Sequence, residues 1–159
     1  MEQNFENWVA SLGKKVLEAR YQTYLLTNSE MQIAFMFIGK AICESKFKKD
    51  QLYKDMEREF EKTFSHTLMF EEENLKYMEK FYELYKPAII NNELTRENIL
   101  LFATEYFAFI SWSYQKVIID ASDGDFNKAK EIMNKIIGND WSLGNLKKYV
   151  SKETKGKHK

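Results

Sequence analysis

Apolar residues recur along most of this chain at the three- and four-residue spacing of a helix face, and no stretch keeps the strict alternation of a half-buried strand. Phe5, Trp8, Val9, Leu12, Val16 and Ala19 fall on one side of a helix that the pattern carries to about Leu26. Ser29 followed by Gln32 has the form of a capping box, and Met31, Ala34, Phe35, Ile38, Ala41 and Ile42 form the stripe of a second helix. Gly39 inside that stripe predicts a close approach to another helix. After a charged connection over Ser45–Asp50, Leu52, Met56 and Phe60 mark a third helix, Asp50–Thr63. Residues 64–70 read as a loop, and a fourth helix over Phe70–Lys86 is stopped by Pro87.

Thr95 caps a fifth helix whose segment Ile99–Ile110 is apolar nearly all round, as in a bundle centre or an oligomer interface. Ser111 or Ser113 starts a short helix to about Ala121. Asp123-Gly124-Asp125 reads as a turn that also caps the next helix, which ends at Gly138. Ser142 caps a last helix that frays from about Ser151 into a lysine-rich, disordered tail. Trp112-Ser113 and Trp141-Ser142 suggest one helix-start device used twice, an aromatic anchor before a serine cap. The fold class is therefore all-α, a single-domain bundle of about seven or eight helices over residues 1–150, with a basic tail at 151–159.

Charge sharpens this picture. The 159 residues carry 24 basic and 24 acidic side chains, so there is no overall pull toward nucleic acid or membrane. The distribution is uneven: from Lys128 to Lys159 nine lysines face three acids, a net +6, which leaves −6 on residues 1–127. Cys43 is the only cysteine, so no internal disulfide forms, and a reducing, cytoplasmic location is expected. No signal-like N-terminus and no apolar run of membrane-spanning length is present. Aromatic residues make up 15% of the chain, which a core of large rings explains, with an interface as the sharper alternative.

Catalytic chemistry is poorly supported. His66 and His158 have no nucleophile context, no Glu-x-x-His pair suggests a di-iron centre, and one cysteine with one ordered histidine makes no zinc site. There is no phosphate loop or dinucleotide fingerprint. Glu44-Ser45-Lys46 and Glu153-Thr154-Lys155 match three letters of a PD-(D/E)xK nuclease core but fall at a helix end and in the tail, not on strands. No enzyme activity, cofactor or metal is expected.

Four stretches carry a resemblance. Ala19-Arg20 through Asn28 leads into Phe35-Met-Phe-Ile-Gly39-Lys-Ala-Ile42. Phe70-x-x-x-Asn74-Leu75-x-x-Met78-x-x-Phe81-Tyr82 follows, then Ser111-Trp112-Ser113 with Val117-Ile118-Ile119, then Trp141-Ser142-x-x-x-Leu146. In order and approximate spacing they resemble the N-terminal domain of the YhcG-type PD-(D/E)xK nuclease family. The resemblance implies an all-helical domain with a helix-turn-helix-like portion that assists DNA binding or assembly of a nuclease. The nuclease domain that follows in that family is not among these residues, so its cleavage chemistry is not carried over. The family's readout helix is basic around the Asn-Leu and Met positions, whereas Glu71, Glu72, Glu73 and Glu79 stand here. On this helix Glu72, Lys76, Glu79 and Glu83 are expected to share the outward face, which on phosphates would repel rather than release counterions.

Several readings follow. The first is a non-catalytic binding module that associates with a nucleic-acid-processing protein or nucleoprotein complex. A second is a phage or mobile-element inhibitor of a defence nuclease, anti-CRISPR-like, with Glu71, Glu72, Glu73, Lys76, Glu79 and Glu83 as its protein-binding face. A third is a DNA- or RNA-binding accessory domain that uses Lys128, Lys130, Lys135, Lys147, Lys148 and Lys152. Against the acidic-face reading stands an ordinary solvated helix, with Glu72 and Lys76 as an i,i+4 pair worth a few tenths of a kcal/mol. Self-association through the fifth helix or the tryptophans is compatible with all of these, and a membrane partner is not expected.

Overall fold

In the computed structural model the described residues are 4–23, 28–47, 49–64 and 69–157. His66, His158, Lys159 and the end of the first predicted helix lie outside them. Eight α-helices are found among the described residues, with no strand: α1 Phe5–Thr23, α2 Asn28–Cys43, α3 Lys49–Thr63, α4 Glu72–Tyr85, α5 Arg96–Phe102, α6 Trp112–Ser122, α7 Phe126–Asn139 and α8 Leu143–Lys157. The all-helical expectation holds. Contacts group the chain into two compact units, Met1–Glu83 and Leu84–Lys159.

In the first unit α1 packs on both α2 and α3. Trp8, Val9 and Leu12 from α1 are buried with Phe35, Ile38 and Ile42 from α2 and Leu52, Met56 and Phe60 from α3, the predicted stripes. Two ring clusters add geometric definition. Phe60 stacks on Phe70 with centroids 4.2 Å apart, and Phe64 sits 4.9 Å from Phe70. Phe47 meets Phe5 edge-on at 5.2 Å and Trp8 at 5.3 Å. The predicted close approach at Gly39 is present: a Cβ there would lie 2.1 Å from the Met78 carbonyl oxygen on α4. Only a residue without a side chain lets α2 and α4 touch at that depth. The described part of α2 starts at Asn28, and Gln32 of the expected capping box is fully buried.

The second unit is organised around Tyr85, the last residue of α4. Its ring lies 5.6 Å from Phe102 and 5.5 Å from Phe107, and its hydroxyl donates to Gln115 Oε1 at 2.6 Å. Burial drives its pKa far above the ordinary phenol value, so it stays a neutral donor. Pro87 ends α4 as expected, inside a 3-10 turn, Lys86–Ala88. Thr95 caps α5, accepting from the Asn98 amide at 3.1 Å. α5 then widens into a π-helical segment, Ala103–Phe107. That widening keeps Ile99, Ala103, Phe107 and Ile110 inward. Leu101 before it and Phe109 after it are 63% and 65% exposed, so the expected all-round burial is resolved into one inner and one outer face.

α6 packs against α7 and against α8. The Asp123-Gly124-Asp125 turn is as expected: Asp123 and Gly124 take left-handed backbone angles, φ 47° and 82°. Asp125 accepts from the Lys128 amide at 3.2 Å. α7 runs through Gly138 to Asn139, and Asp140, at φ 51°, takes the left-handed closing position expected of the glycine. The two Trp-Ser pairs act differently. Ser142 caps α8 through the Asn145 amide at 3.1 Å, while Ser111, not Ser113, holds the α6 cap position and makes no side-chain cap bond. α8 remains helical over residues 151–157, where fraying was expected. There Glu153 accepts from Tyr149 Oη at 2.8 Å and faces Lys128 Nζ at 3.8 Å.

Candidate functional site

Of the six residues expected on an acidic face of α4, five are at least partly exposed and Glu79 is buried. Glu71 and Glu72 are half-buried, Glu73 and Glu83 exposed, and Lys76 exposed beside Glu72 at 3.3 Å. Glu79, expected outward, is 9% exposed and accepts from the Tyr53 hydroxyl of α3. The reason is angular: Glu79 follows Met78 directly, and at about 100° per residue it lies on the flank of α4 that α3 covers. Burial, with the Glu79 carboxylate beside it, raises the Tyr53 pKa well above the ordinary phenol value. The exposed charges of α4 are then Glu73, Lys76, Lys80 and Glu83, two of each sign. With the half-buried Glu71 and Glu72 beside them, this surface keeps four acids against two lysines.

The same flank holds a cluster that the sequence reading missed. Cys43 Sγ and the carboxylates of Glu79 and Glu83 lie within 4.8 Å of one another, donor atoms of a kind that hold divalent metals. The thiol donates to Glu83 Oε1 at 3.3 Å, and Tyr53 occupies Glu79. These contacts tie α2, α3 and α4 together. Nothing in the sequence connects residues 36 and 40 positions apart; only the i,i+4 spacing of Glu79 and Glu83 was visible.

The lysine set is distributed differently. Lys147, Lys148 and Lys152 are exposed on α8, while Lys128, Lys130 and Lys135 on α7 are half-buried. Lys128 is turned toward Glu153. Lys130 stands over the Phe126 ring at 5.8 Å, and Lys135 over the Tyr149 ring at 5.5 Å. The contacts from α7 to Tyr149 and Glu153 bring the two lysine sets onto adjoining helices. Asn127, Lys130, Glu131, Asn134, Lys135 and Asn139 line a shallow, open hollow along the outer side of α7. Sequence reasoning had the lysines but not the asparagines, whose repeat at 127 and 134 is the signal that could have found them.

Among the described residues, the motif stretches contribute to the packing of each unit. Phe70, Asn74, Leu75, Met78 and Phe81 are all buried, so the most specific motif is an interior face. It meets the first stretch where Gly39 touches Met78. The third and fourth stretches meet where the Tyr114 hydroxyl donates to the Trp141 carbonyl at 3.1 Å. The first and second stretches thus meet in one unit, and the third and fourth in the other. Among the described residues no helix is long and apolar enough to cross a membrane. No curated protein and no solved structure matches the chain. The family description "DUF1016 N-terminal domain" matches residues 11–155, nearly the whole sequence, and the chain belongs to that family.

Proposed function

We propose that this chain is a non-catalytic accessory module that binds a polynucleotide through α7 and α8, in the service of a nucleic-acid-processing complex. The observation that carries this is the exposure of Lys147, Lys148 and Lys152 on one helix beside the lysine-bearing hollow of α7. Such a surface releases condensed counterions when phosphates replace them. The burial of Glu79 takes one carboxylate away from the face that nuclease inhibition by an acidic helix would use.

Fluorescence anisotropy with a labelled duplex at low salt tests it. The intact chain binds, and K147A/K148A/K152A loses most of that binding while its circular dichroism is unchanged. Equal binding by the two proteins contradicts the proposal.

A protein contact is favoured separately by Leu101 on α5 and Phe109 just beyond the π segment, two large apolar side chains more than half exposed. On this reading L101E/F109E abolishes assembly with the partner nuclease complex and leaves duplex binding intact.

A further inference from the structure

From the division of residue types between α7 and α8 we infer that α7 reads base edges in the major groove of duplex DNA, while α8 holds the phosphates; the inference rests on the polynucleotide-binding reading. Asn127, Glu131 and Asn134 are exposed and lie along one stripe of α7, with Lys130 and Lys135 on its flanks. The Asn139 amide is committed to the Lys135 carbonyl at 2.8 Å, so the reading residues are Asn127 and Asn134. Asparagine amides pair bidentately with adenine, and a glutamate accepts from cytosine N4. A carboxylate in the middle of the stripe would be repelled by phosphates, but it is tolerated at base edges. Phosphate contacts fall to Lys147, Lys148 and Lys152, because the turn leading into α7 carries Asp123 and Asp125.

Two features choose duplex DNA over the other polynucleotides. Single strands are held by stacking bases on open aromatic faces. The rings on this surface, Phe126 and Tyr149, are half-buried and each lies under a lysine. The deep, narrow major groove of duplex RNA does not admit a helix, whereas that of B-DNA does.

The test is selection of bound sequences from a randomised DNA duplex pool with the intact chain. Affinities for the winning duplex, a scrambled duplex, single-stranded DNA and duplex RNA of equal length are then measured. A winner bound at least about tenfold tighter than the scrambled duplex is expected. In N127A/N134A that ratio collapses toward one. In K147A/K148A/K152A both affinities fall in parallel and the ratio is kept. If duplexes bind but no sequence is enriched, if single strands or duplex RNA bind more tightly, or if N127A/N134A keeps the ratio, α7 is not a reading helix, although the polynucleotide proposal stands. If no nucleic acid binds, both proposals fall.

Discussion

Gly39 and Tyr53 are the two residues on which the interior of the first unit is most exposed to single changes. A Cβ at position 39 would stand 2.1 Å from the Met78 carbonyl oxygen and 2.9 Å from Tyr82 Cβ. The nearest obstacle is backbone, which cannot rotate away, so Gly39→Ala should lower stability by about 3 kcal/mol, the upper end of ordinary overpacking costs. Urea unfolding measures it, and a loss under about 0.5 kcal/mol would mean that α2 and α4 are not in register here. Tyr53→Phe removes the hydroxyl that serves the buried Glu79 carboxylate. A loss of about 1–2 kcal/mol is expected, since a charged acceptor left short of a donor costs more than a neutral one. In the Tyr53→Phe background, Glu79→Gln should then be milder than in the intact protein, a coupling that a double-mutant cycle reads directly.

At the scale of elements, helix ends and helix faces were legible to different degrees. Thr95, Asp125 and Ser142 were identified as caps from type and position alone, because capping is a local event within one turn. Pro87 likewise marked the end of α4 by removing a backbone donor. Gly138 misled because glycine is only the commonest way to close a helix. Asp140 can adopt the left-handed conformation two residues later, while Gly138 stays helical and a Cβ added there would meet nothing within 4 Å. Gly138→Ala should therefore raise the thermal midpoint, with a gain of about 0.5–1 kcal/mol. A decrease would place the end of α7 where the sequence pattern has it. Faces were harder. Glu79 reads as solvated because it is a charged residue among charged residues, and its burial depends on where α3 lies. The asparagines of α7 carry no hydrophobic signal at all. The apolarity of the fifth helix alone does not reveal that Leu101 and Phe109, on either side of the π segment, face outward.

For the whole molecule, the phenols predict a one-sided pH response. Tyr53 and Tyr85 have pKa values raised mainly by burial, and Tyr149, raised first by burial and then by its hydrogen bond to Glu153, is pushed up to about 12. A group whose folded pKa lies above its unfolded value stabilises the fold fully below that unfolded value, near 10 for a phenol, and loses the contribution as pH rises through the folded pKa. The Lys40 pKa, raised by its hydrogen bond to Glu44, acts in the same direction. Thermal midpoints should be flat from about pH 7 to 9 and fall steadily above about pH 10; a fall beginning near pH 8 would point to a group outside this set.

The division of charge is the other property of the whole chain: +6 over residues 128–159 against −6 elsewhere. Phe70, Asn74, Leu75, Met78 and Phe81 are interior, and the lysines proposed for binding lie in the second unit. The most direct measurement is the salt dependence of duplex DNA affinity for the intact chain and for K147A/K148A/K152A. Each phosphate contact contributes about −0.9 to the slope of log affinity against log salt. The intact chain should show a steep negative slope, and the triple variant one flatter by about 2–3. A slope near zero for the intact chain, or the same slope for both proteins, would contradict the assignment of polynucleotide binding to α8.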